Sequence, residues 1–240
     1  MKISWSLPLD PAGVNGETND GITFTIRPIR ISDGPALEAA FESMSPRSRY
    51  LRFFSVRDRL GPDLVKQLTD IDHDAHRAWV VFEPLHDFDD PQDGRLEESG
   101  AGVAIARLIA VEGEPGVAEA ALVVADAFQG RGFGRLLLEL LIGTARDTGV
   151  EFIRFETLHQ NMGMKRLLDG YEVETNKKLS DQQVAVYDLP VPPDSEGDGV
   201  ALGAIYDLLR FVARGAGFVD GYSTETGTAD ESSGVGESDT

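Results

Sequence analysis

The sequence predicts an α/β (α+β) fold in which a central sheet is flanked by helices. Short segments with alternating apolar residues, typical of strands, are separated by segments with apolar residues at helical spacing. Near the middle of the chain, residues 118–135 change from an apolar run to a glycine-rich turn and then to a leucine-rich segment, as in a strand, a loop and a helix. The 240 residues, of which 41% are hydrophobic, suffice to bury one sizeable core.

The first part of the chain is predicted to contain an arm, a strand and a helix. Residues 1–20 are rich in Gly, Pro, Asn and Asp, and we expect a flexible N-terminal arm. Residues 21–31 alternate apolar and polar side chains, as in a strand. A start signal at residues 32–35, which include Pro35, predicts a helix that runs to about Ser43.

Residues 45–60, SPRSRYLRFFSVRDRL, mix aromatic residues with arginines and are predicted to be helical. One interpretation is a buried helical face with arginine side chains at its edges. A short helix should follow over residues 61–69. The next stretch, residues 70–76, holds His73 and His76 among aspartates, but no further ligand at fixed spacing, so we predict a solvated acidic loop and no metal site.

The remaining strands and helices follow from the same patterns. Strands are predicted for residues 77–83, 101–111, 150–158, 173–178 and 183–188, with helices over 133–148 and in the segment 159–168. The acidic, turn-rich residues 85–100 should form a surface loop without assigned chemistry.

The C-terminal part is predicted to lie outside the main domain. Residues 191–222 should form a proline-rich linker and an amphipathic helix, which either caps its own domain or meets a partner. Residues 223–240 are acidic, small and polar, and should be a disordered tail.

The glycine-rich turn is predicted to bind an anion. Its glycines let backbone N–H groups turn inward, and the following helix adds its unpaired N–H groups and the positive end of its dipole. A Walker loop would end in Gly-Lys-Ser/Thr, whereas Gly134 is followed by Arg135 and Leu136. A dinucleotide fingerprint begun at Gly130 would need glycine at position 135. What remains is the pattern Gln-x-x-Gly-x-Gly.

This pattern resembles the acyl-CoA pyrophosphate loop of the GNAT superfamily of N-acetyltransferases. The resemblance extends over residues 21–189, with Ala-Glu before the central strand, and with Asn161, Met164, Gly170 and Tyr171 in the family's order and spacing. It implies the GNAT fold over residues 21–190, with a mixed, mostly antiparallel sheet. The letters Ser-x-x-Ser-x-Tyr-Leu-Arg-Phe-Phe also resemble a segment of bacterial and archaeal protein lysine acetyltransferases that act on acetyl-CoA synthetase. In the superfamily this region lines the acceptor pocket.

The resemblance implies transfer of an acetyl group from acetyl-CoA to an amine by direct attack, with which the absence of cysteine agrees. Acetyl-CoA would be the only cofactor, and the central strand is expected to splay where it binds. The residues implied in holding it are Leu122, Val123 and Val124 on the strand, Gln129, Gly130, Arg131, Gly132, Phe133, Gly134 and Arg135 in the loop, and Asn161.

Glu119 is the candidate general base, because lysine acetyltransferases of this type use a glutamate at the Ala-Glu position. The alternative is a solvated carboxylate at the end of a strand. Many relatives also use a tyrosine, in the helix after the Asn element, to protonate the leaving thiolate. The corresponding helix here has no tyrosine, and Tyr171 comes too late to be assumed equivalent.

The acceptor is predicted to be a protein lysine, for which the resemblance suggests an acyl-CoA synthetase, with a small amine as the alternative. A different class of function is a non-catalytic acyl-CoA-binding sensor. The protein is expected to act as a monomer or a homodimer.

The charge of the chain restricts its partners. With 41 acidic and 22 basic residues, the formal net charge is −19, which argues against generic binding of nucleic acid or anionic membranes. It also opposes the approach of a polyanion such as coenzyme A, unless salt screens the repulsion. We therefore predict a halophilic cytoplasm, such as that of a halophilic archaeon. A cytoplasmic location is expected because no export signal or membrane-spanning run is evident in the sequence.

High salt should therefore support folding and acetyl-CoA binding. The screening length falls to about 3 Å at 1 M salt, so repulsion among the acidic side chains weakens. We expect the melting temperature and the affinity for acetyl-CoA to rise as KCl is raised from low to molar concentration, measured by circular dichroism and calorimetry. A series in sucrose separates ionic from osmotic effects, and full activity without added salt would refute the prediction.

Overall fold

The computed structural model describes residues 13–55, 57–83 and 100–191. In these residues the strands are β1 (Val14–Glu17), β2 (Thr23–Pro28), β3 (His76–Phe82), β4 (Gly102–Ala110), β5 (Val117–Val124), β6 (Phe152–Leu158), β7 (Glu174–Thr175) and β8 (Val184–Pro190). The helices are α1 (Gly34–Ser43), α2 (Pro46–Phe53), α3 (Pro62–Thr69), α4 (Phe133–Asp147) and α5 (Met162–Leu168), with 3₁₀ turns at Ile31–Asp33 and Asp126–Phe128.

The strands form one sheet in the order β1-β2-β3-β4-β5-β6-β8-β7. Neighbouring strands are antiparallel, except for the parallel pair of β5 and β6. Strand β6 follows β5 through α4, as expected for a parallel crossover. The predicted mixed, mostly antiparallel sheet flanked by helices is confirmed.

A gap opens in the middle of this sheet, between β5 and β6. The two strands pair only from Val117↔Phe152 to Ala120↔Phe155. Strand β5 stays paired with β4 as far as Val124, and β6 stays paired with β8 as far as Leu158. The strands therefore part after Ala120, which confirms the predicted splay. We call the space between residues 121–124 and 156–158 the strand gap.

Helix α4 fills one face of the sheet. Its leucines at positions 136, 137, 138, 140 and 141 are buried, and burying each one stabilises the fold by roughly 1.5–3 kcal/mol. The ring of Phe133, at the first position of α4, packs edge to face on Phe24 with 5.2 Å between centroids. The indole Nε1 of Trp79 donates to Thr144 Oγ1 at 3.1 Å. The Phe133 contact fixes the start of α4, and hence the glycine-rich turn, against the sheet, and the Trp79 hydrogen bond holds the other end of the helix.

Helices α1, α2 and α3 lie on the opposite face. Phe41, Met44 and Leu60 form a small core there, against which Phe53 and Val123 pack. A buried ion pair between Arg27 Nη2 and Asp33 Oδ1, 2.6 Å long, joins β2 to the turn that precedes α1.

Three predictions about the elements were wrong in part. Residues 14–17, expected to belong to the flexible arm, form β1, where a Cβ on Gly16 would lie 2.5 Å from the Phe24 ring. This glycine makes room for a buried ring. Helix α2 ends at Phe53 because Phe54 adopts a left-handed conformation with φ 54°. The strand predicted over 173–178 is reduced to Glu174–Thr175.

None of the helices in the described ranges is long and apolar enough to cross a membrane. The first 12 residues of the predicted arm, the predicted acidic loop up to residue 99, the C-terminal amphipathic helix and the acidic tail lie outside the described residues.

Candidate active site

The strand gap exposes backbone groups of β5. The N–H of Ala125 donates to Val103 O at 2.9 Å, so the N–H groups of Ala121 and Val123 also point toward β4. The alternate residues, Leu122 and Val124, therefore direct their N–H groups into the gap. Val123, the third strand residue predicted to hold acetyl-CoA, is oriented differently. Its N–H faces β4, and its side chain lines a cleft on the helix side of the sheet.

The glycine-rich turn presents a second set of backbone groups. Gly130 and Gly132 have φ angles of 78° and 98°, in the left-handed region that favours glycine. Helix α4 begins directly afterwards. None of the N–H groups of residues 130–135 has a hydrogen-bond partner within the described part of the chain. Since they are consecutive and adjoin a helix N-terminus, they form a concave donor site for an anion.

The polar side chains of this turn bind other groups of the protein. Gln129 Nε2 donates to Val124 O at 3.1 Å and to Asp126 Oδ1 at 2.9 Å. The Arg131 guanidinium pairs with Asp20, and Arg135 Nη2 lies 3.8 Å from Glu139 Oε1. Both arginines are thus partly neutralised, so the donors for an anion are mainly backbone N–H groups.

Asp126 connects the turn to α2. Its carboxylate accepts from Ser45 N at 2.6 Å, from the Ser48 hydroxyl and from Gln129 Nε2. Partial burial would raise the pKa of Asp126, but the hydrogen bonds from Ser48, Ser45 and Gln129 outweigh it and lower the pKa below its usual value. One carboxylate therefore positions both the start of α2 and the turn that precedes α4.

Glu119 lies on β5, on the face that carries α1, α2 and α3. Its neighbours Ala118 and Ala120 are buried on the α4 face, and the Glu119 side chain is exposed. It stands opposite Arg154 on β6. Arg154 is held by Asp188 at 2.9 Å and by Glu114 at 2.8 Å.

Glu156, which the sequence analysis did not single out, is a second carboxylate beside the gap. It lies two residues after Arg154 and therefore on the same face as Glu119. Partial burial and the negative charge of Glu119 raise the pKa of Glu156, although Arg154 opposes the shift. Strand alternation alone would not have found it, since its closeness to Glu119 depends on the pairing of β5 with β6.

A cleft that is partly open to solvent lies between the sheet and helices α1 and α2. Its lining is mostly apolar, and its charged residues are Asp33, Arg52 and Arg107. The aromatic and arginine segment contributes both to the fold and to the lining of this cleft. Arg49 binds the carbonyls of Glu42, Met44 and Asp58 and so supports the fold, whereas Arg52 and Phe53 line the cleft.

Three polar side chains lie near the end of β6. Asn161 Oδ1 accepts from Met164 N at 3.1 Å and caps α5. The Tyr171 hydroxyl donates to Glu139 Oε1 at 2.5 Å, and burial with this hydrogen bond raises the pKa of Tyr171, so it is a poor proton donor. The hydroxyl of Thr157 is buried without a partner in the described residues.

The two histidines considered for a metal site have other surroundings. His76 begins β3 rather than lying in a solvated loop, and its Nε2 is 3.0 Å from Arg107 Nη1. Burial and the charge of Arg107 lower the pKa of His76 to about 4. No group of three or more acidic or histidine side chains within the described ranges is placed to hold a metal ion.

The chain is similar to known proteins of the GNAT acetyltransferase family. Residues 53–169 match the model of the acetyltransferase (GNAT) family. Over 131 residues the chain is 34% identical to the acetyltransferase PA5475 of Pseudomonas aeruginosa, covering 55% of this chain and 64% of that protein. Over 177 residues it is 29% identical to the acetyltransferase Pat of Mycolicibacterium smegmatis, covering 74% and 48%. The chain thus spans about half to just under two thirds of the length of these relatives.

Solved structures share the fold. The GNAT domain of PAT from S. lividans superposes with a TM-score of 0.62 at 24% identity, covering 77% of this chain and 99% of that one. Spermidine N-acetyltransferase from Vibrio cholerae, solved with CoA and spermine, gives a TM-score of 0.52 at 15% identity, covering 70% and 95%. At these identities the likeness establishes the GNAT fold alone.

Replacing Asp126 with asparagine should loosen the join between α2 and the turn. Asparagine removes the negative charge that accepts hydrogen bonds from three donors. Because the carboxylate is exposed, we expect this loss to lower the free energy of unfolding by about 0.5–1.5 kcal/mol. Because the pKa of Asp126 is lowered by folding, the carboxylate stabilises the fold above the unfolded pKa of about 3.9, and this contribution is lost as pH falls through the folded value. Urea unfolding at pH 7 and at pH 3 measures the difference.

The matched control is Asp58→Asn, because the exposed Asp58 side chain accepts no hydrogen bond from the described residues. Equal stability of Asp126→Asn and wild type at pH 7, or an equal loss at both pH values, would contradict the assigned role.

Proposed function

We propose that this protein, whose domain has the GNAT fold and matches the GNAT acetyltransferase family over residues 53–169, moves an acetyl group from acetyl-CoA to an amine. One observation carries the proposal. The same strand, loop and helix unit offers two sets of N–H groups without a partner among the described residues. One set comes from Leu122 and Val124 in the strand gap, and the other from residues 130–135 in the turn. Their arrangement fits a ligand with an extended polar arm and a pyrophosphate.

The residues of this chain fit acetyl-CoA in three places. Residues 130–135 would hold the pyrophosphate through backbone N–H groups. The N–H groups of Leu122 and Val124 would receive the pantetheine arm and the thioester carbonyl, because donors fixed in a sheet need no reorganisation when negative charge develops. Beside the same gap, Thr157 offers a buried hydroxyl that has no hydrogen-bond partner in the described part of the chain. When bound, acetyl-CoA supplies the acetyl group as an activated thioester.

The acceptor must lose a proton before it can attack. An amine with the pKa of lysine is less than about 0.1% neutral at pH 7. Glu119 is exposed on the face with the cleft and would take the proton from the ammonium nitrogen onto a carboxylate oxygen. Partial burial and the negative charge of Glu119 raise the pKa of Glu156, so Glu156 is a second carboxylate close to the proposed base. Since the Tyr171 hydroxyl is hydrogen-bonded to Glu139, either water would protonate the leaving thiolate or the thiolate would leave unprotonated.

A protein lysine is the favoured acceptor, because one relative is named Pat and the PAT domain shares the fold. A small amine remains the alternative, since the Vibrio cholerae neighbour is named a spermidine N-acetyltransferase. A sensor that binds acetyl-CoA without transfer would not need Glu119. Release of free thiol in the presence of an amine distinguishes the enzyme from such a sensor.

The backbone donors of the turn can be tested with Gly132→Leu. Gly132 has φ 98°, so a leucine there strains the turn by roughly 1–2 kcal/mol and moves the N–H groups away from a common point. We expect the dissociation constant for acetyl-CoA to rise at least about tenfold in calorimetry.

Gly149→Leu is the matched control. Gly149 follows the other end of α4, has φ 70°, and a Cβ there meets no atom within 4 Å. It imposes a similar backbone strain far from the turn and should leave the affinity unchanged. If both variants bind acetyl-CoA like wild type, the turn is not the pyrophosphate site.

Glu119→Gln should separate proton removal from binding. A general base contributes typically about 10² to 10⁴ in rate, so turnover should fall about a hundredfold or more, while acetyl-CoA affinity stays nearly unchanged. Raising the pH should partly restore the rate, because the solvent then supplies the neutral amine. Steady-state rates between pH 6 and 9 provide the measurement.

Two further variants test which carboxylate is the general base. Glu156→Gln tests whether the neighbouring carboxylate is the base, and Glu172→Gln removes an exposed carboxylate elsewhere. A loss confined to Glu156→Gln, or a Glu119→Gln rate within about threefold of wild type at every pH, would remove Glu119 from the mechanism.

A further inference from the structure

Two arginines face the cleft without an acidic partner among the residues that the structure describes. Arg107 on β4 is 3% exposed, and Arg52 in the last turn of α2 is half-buried. Arg107 donates to the carbonyl of Leu68 at 2.7 Å and contacts His76 Nε2 at 3.0 Å. Arg52 lies over the Phe53 ring at 5.2 Å. Within the described ranges, no carboxylate forms an ion pair with either guanidinium.

The lack of a counter-ion distinguishes these arginines from the other buried ones. Arg27 is paired with Asp33, and Arg154 with both Glu114 and Asp188. Burying an unpaired charge is costly unless a ligand compensates it. The two charges also act on each other, since burial together with the charge of Arg52 lowers the pKa of Arg107 to about 9. The charge of His76 does not add to theirs at neutral pH, because the pKa of His76 is about 4.

The arginine pair lies on the acceptor side of the strand gap. Arg107 stands opposite Ala121, which follows Glu119 by two residues and shares its face of the sheet. Directly opposite residues have Cβ atoms about 4.5–5.5 Å apart, and diagonal neighbours about 7–8 Å. A molecule whose amine reaches Glu119 therefore has a second group within reach of Arg107. Arg52 approaches the same cleft from α2.

We propose that Arg52 and Arg107 bind a carboxylate carried by the acceptor, so that the substrate class is an amine that also bears a carboxylate. The inference rests on the proposed acetyl transfer and names its acceptor more closely. The carboxylate comes either from a free amino acid or from an acidic residue beside the acceptor lysine of a peptide. A polyamine is disfavoured, since its positive charges would meet two arginines.

A carboxylate suits this cleft better than a phosphate. A guanidinium has five N–H donors in a planar fork, and Arg107 already uses one donor on each Nη atom. The donors that remain suit the two oxygens of a carboxylate, whereas a phosphate has three oxygens to satisfy. The rest of the lining is mostly apolar and accommodates the hydrocarbon part of the acceptor.

A binding experiment tests the carboxylate site without acetyl transfer. N-acetylglycine and N-acetylglycinamide differ only in a carboxylate against a carboxamide, and their affinities are measured by calorimetry at one fixed KCl concentration. Wild type should bind the carboxylate at least about tenfold more tightly, as expected for a charged hydrogen bond. This preference should vanish in Arg52→Gln and in Arg107→Gln. Arg52→Gln keeps the test valid should Arg107→Gln fold poorly, because Arg52 is only half-buried.

Arg57→Gln is the matched control. Arg57 lies over the same Phe53 ring, at 5.9 Å, but is exposed and does not line the cleft. It should keep the preference of wild type. Equal affinity of wild type for both compounds, or a preference that survives in Arg52→Gln and Arg107→Gln, would overturn the proposal.

Transfer assays then identify the source of the carboxylate. One pair of acceptors is glycine and glycinamide, and the other is a lysine peptide flanked by glutamate or by glutamine. The kcat/KM ratio within each pair is compared between wild type and variants, so differences in amine pKa cancel. The pair whose ratio falls at least about tenfold in Arg52→Gln gives the acceptor class. Transfer without a carboxylate preference in either pair overturns this inference alone, whereas no transfer to any amine would refute the proposed function.

Discussion

The structure depends on where the parallel pairing of β5 and β6 stops. Each strand keeps its partner on the other side, so the ladder after Ala120 and Phe155 can part without unfolding the sheet. Parting leaves backbone groups that need partners, because unpaired N–H and C=O groups are costly when shielded from water. The carbonyl of Val124 receives the Gln129 side chain. The N–H groups of Leu122 and Val124 remain, and we infer that a ligand takes them.

The elements around the gap are held by a small number of interactions. Helix α4 buries a row of leucines and so fixes the turn that precedes it. Asp126 then joins that turn to the start of α2, which carries Arg52 and Phe53 into the cleft. A single carboxylate thereby couples the position of the proposed coenzyme site to that of the proposed acceptor cleft. A shift of α2 would move the turn as well, since both donate hydrogen bonds to the two carboxylate oxygens of Asp126.

Local patterns predicted most of the fold, because strand alternation and the glycine-rich turn depend on neighbouring residues. The prediction missed features that depend on contacts between residues far apart in the sequence. Gly16 suggested a flexible arm, yet its missing side chain makes room for Phe24, which lies on another strand. Glu156 and Arg107 were not singled out, since the position of each near Glu119 depends on pairing with a neighbouring strand. Likewise, the different orientation of Val123, compared with Leu122 and Val124, is evident only from the hydrogen bond of Ala125 to Val103.

The candidate anion sites are built from groups that resist screening by salt. The exposed cations of the turn, Arg131 and Arg135, are paired with Asp20 and Glu139, and such surface pairs weaken as ionic strength rises. The N–H groups of residues 130–135 carry no net charge to be neutralised, and Arg107 is almost fully shielded from solvent. In a chain with a net charge of −19, a site made of fixed dipoles and a buried guanidinium can still attract an anion at close range. The predicted need for salt is therefore compatible with the predicted anion site in the glycine-rich turn, because salt screens the acidic surface far more than it screens these groups.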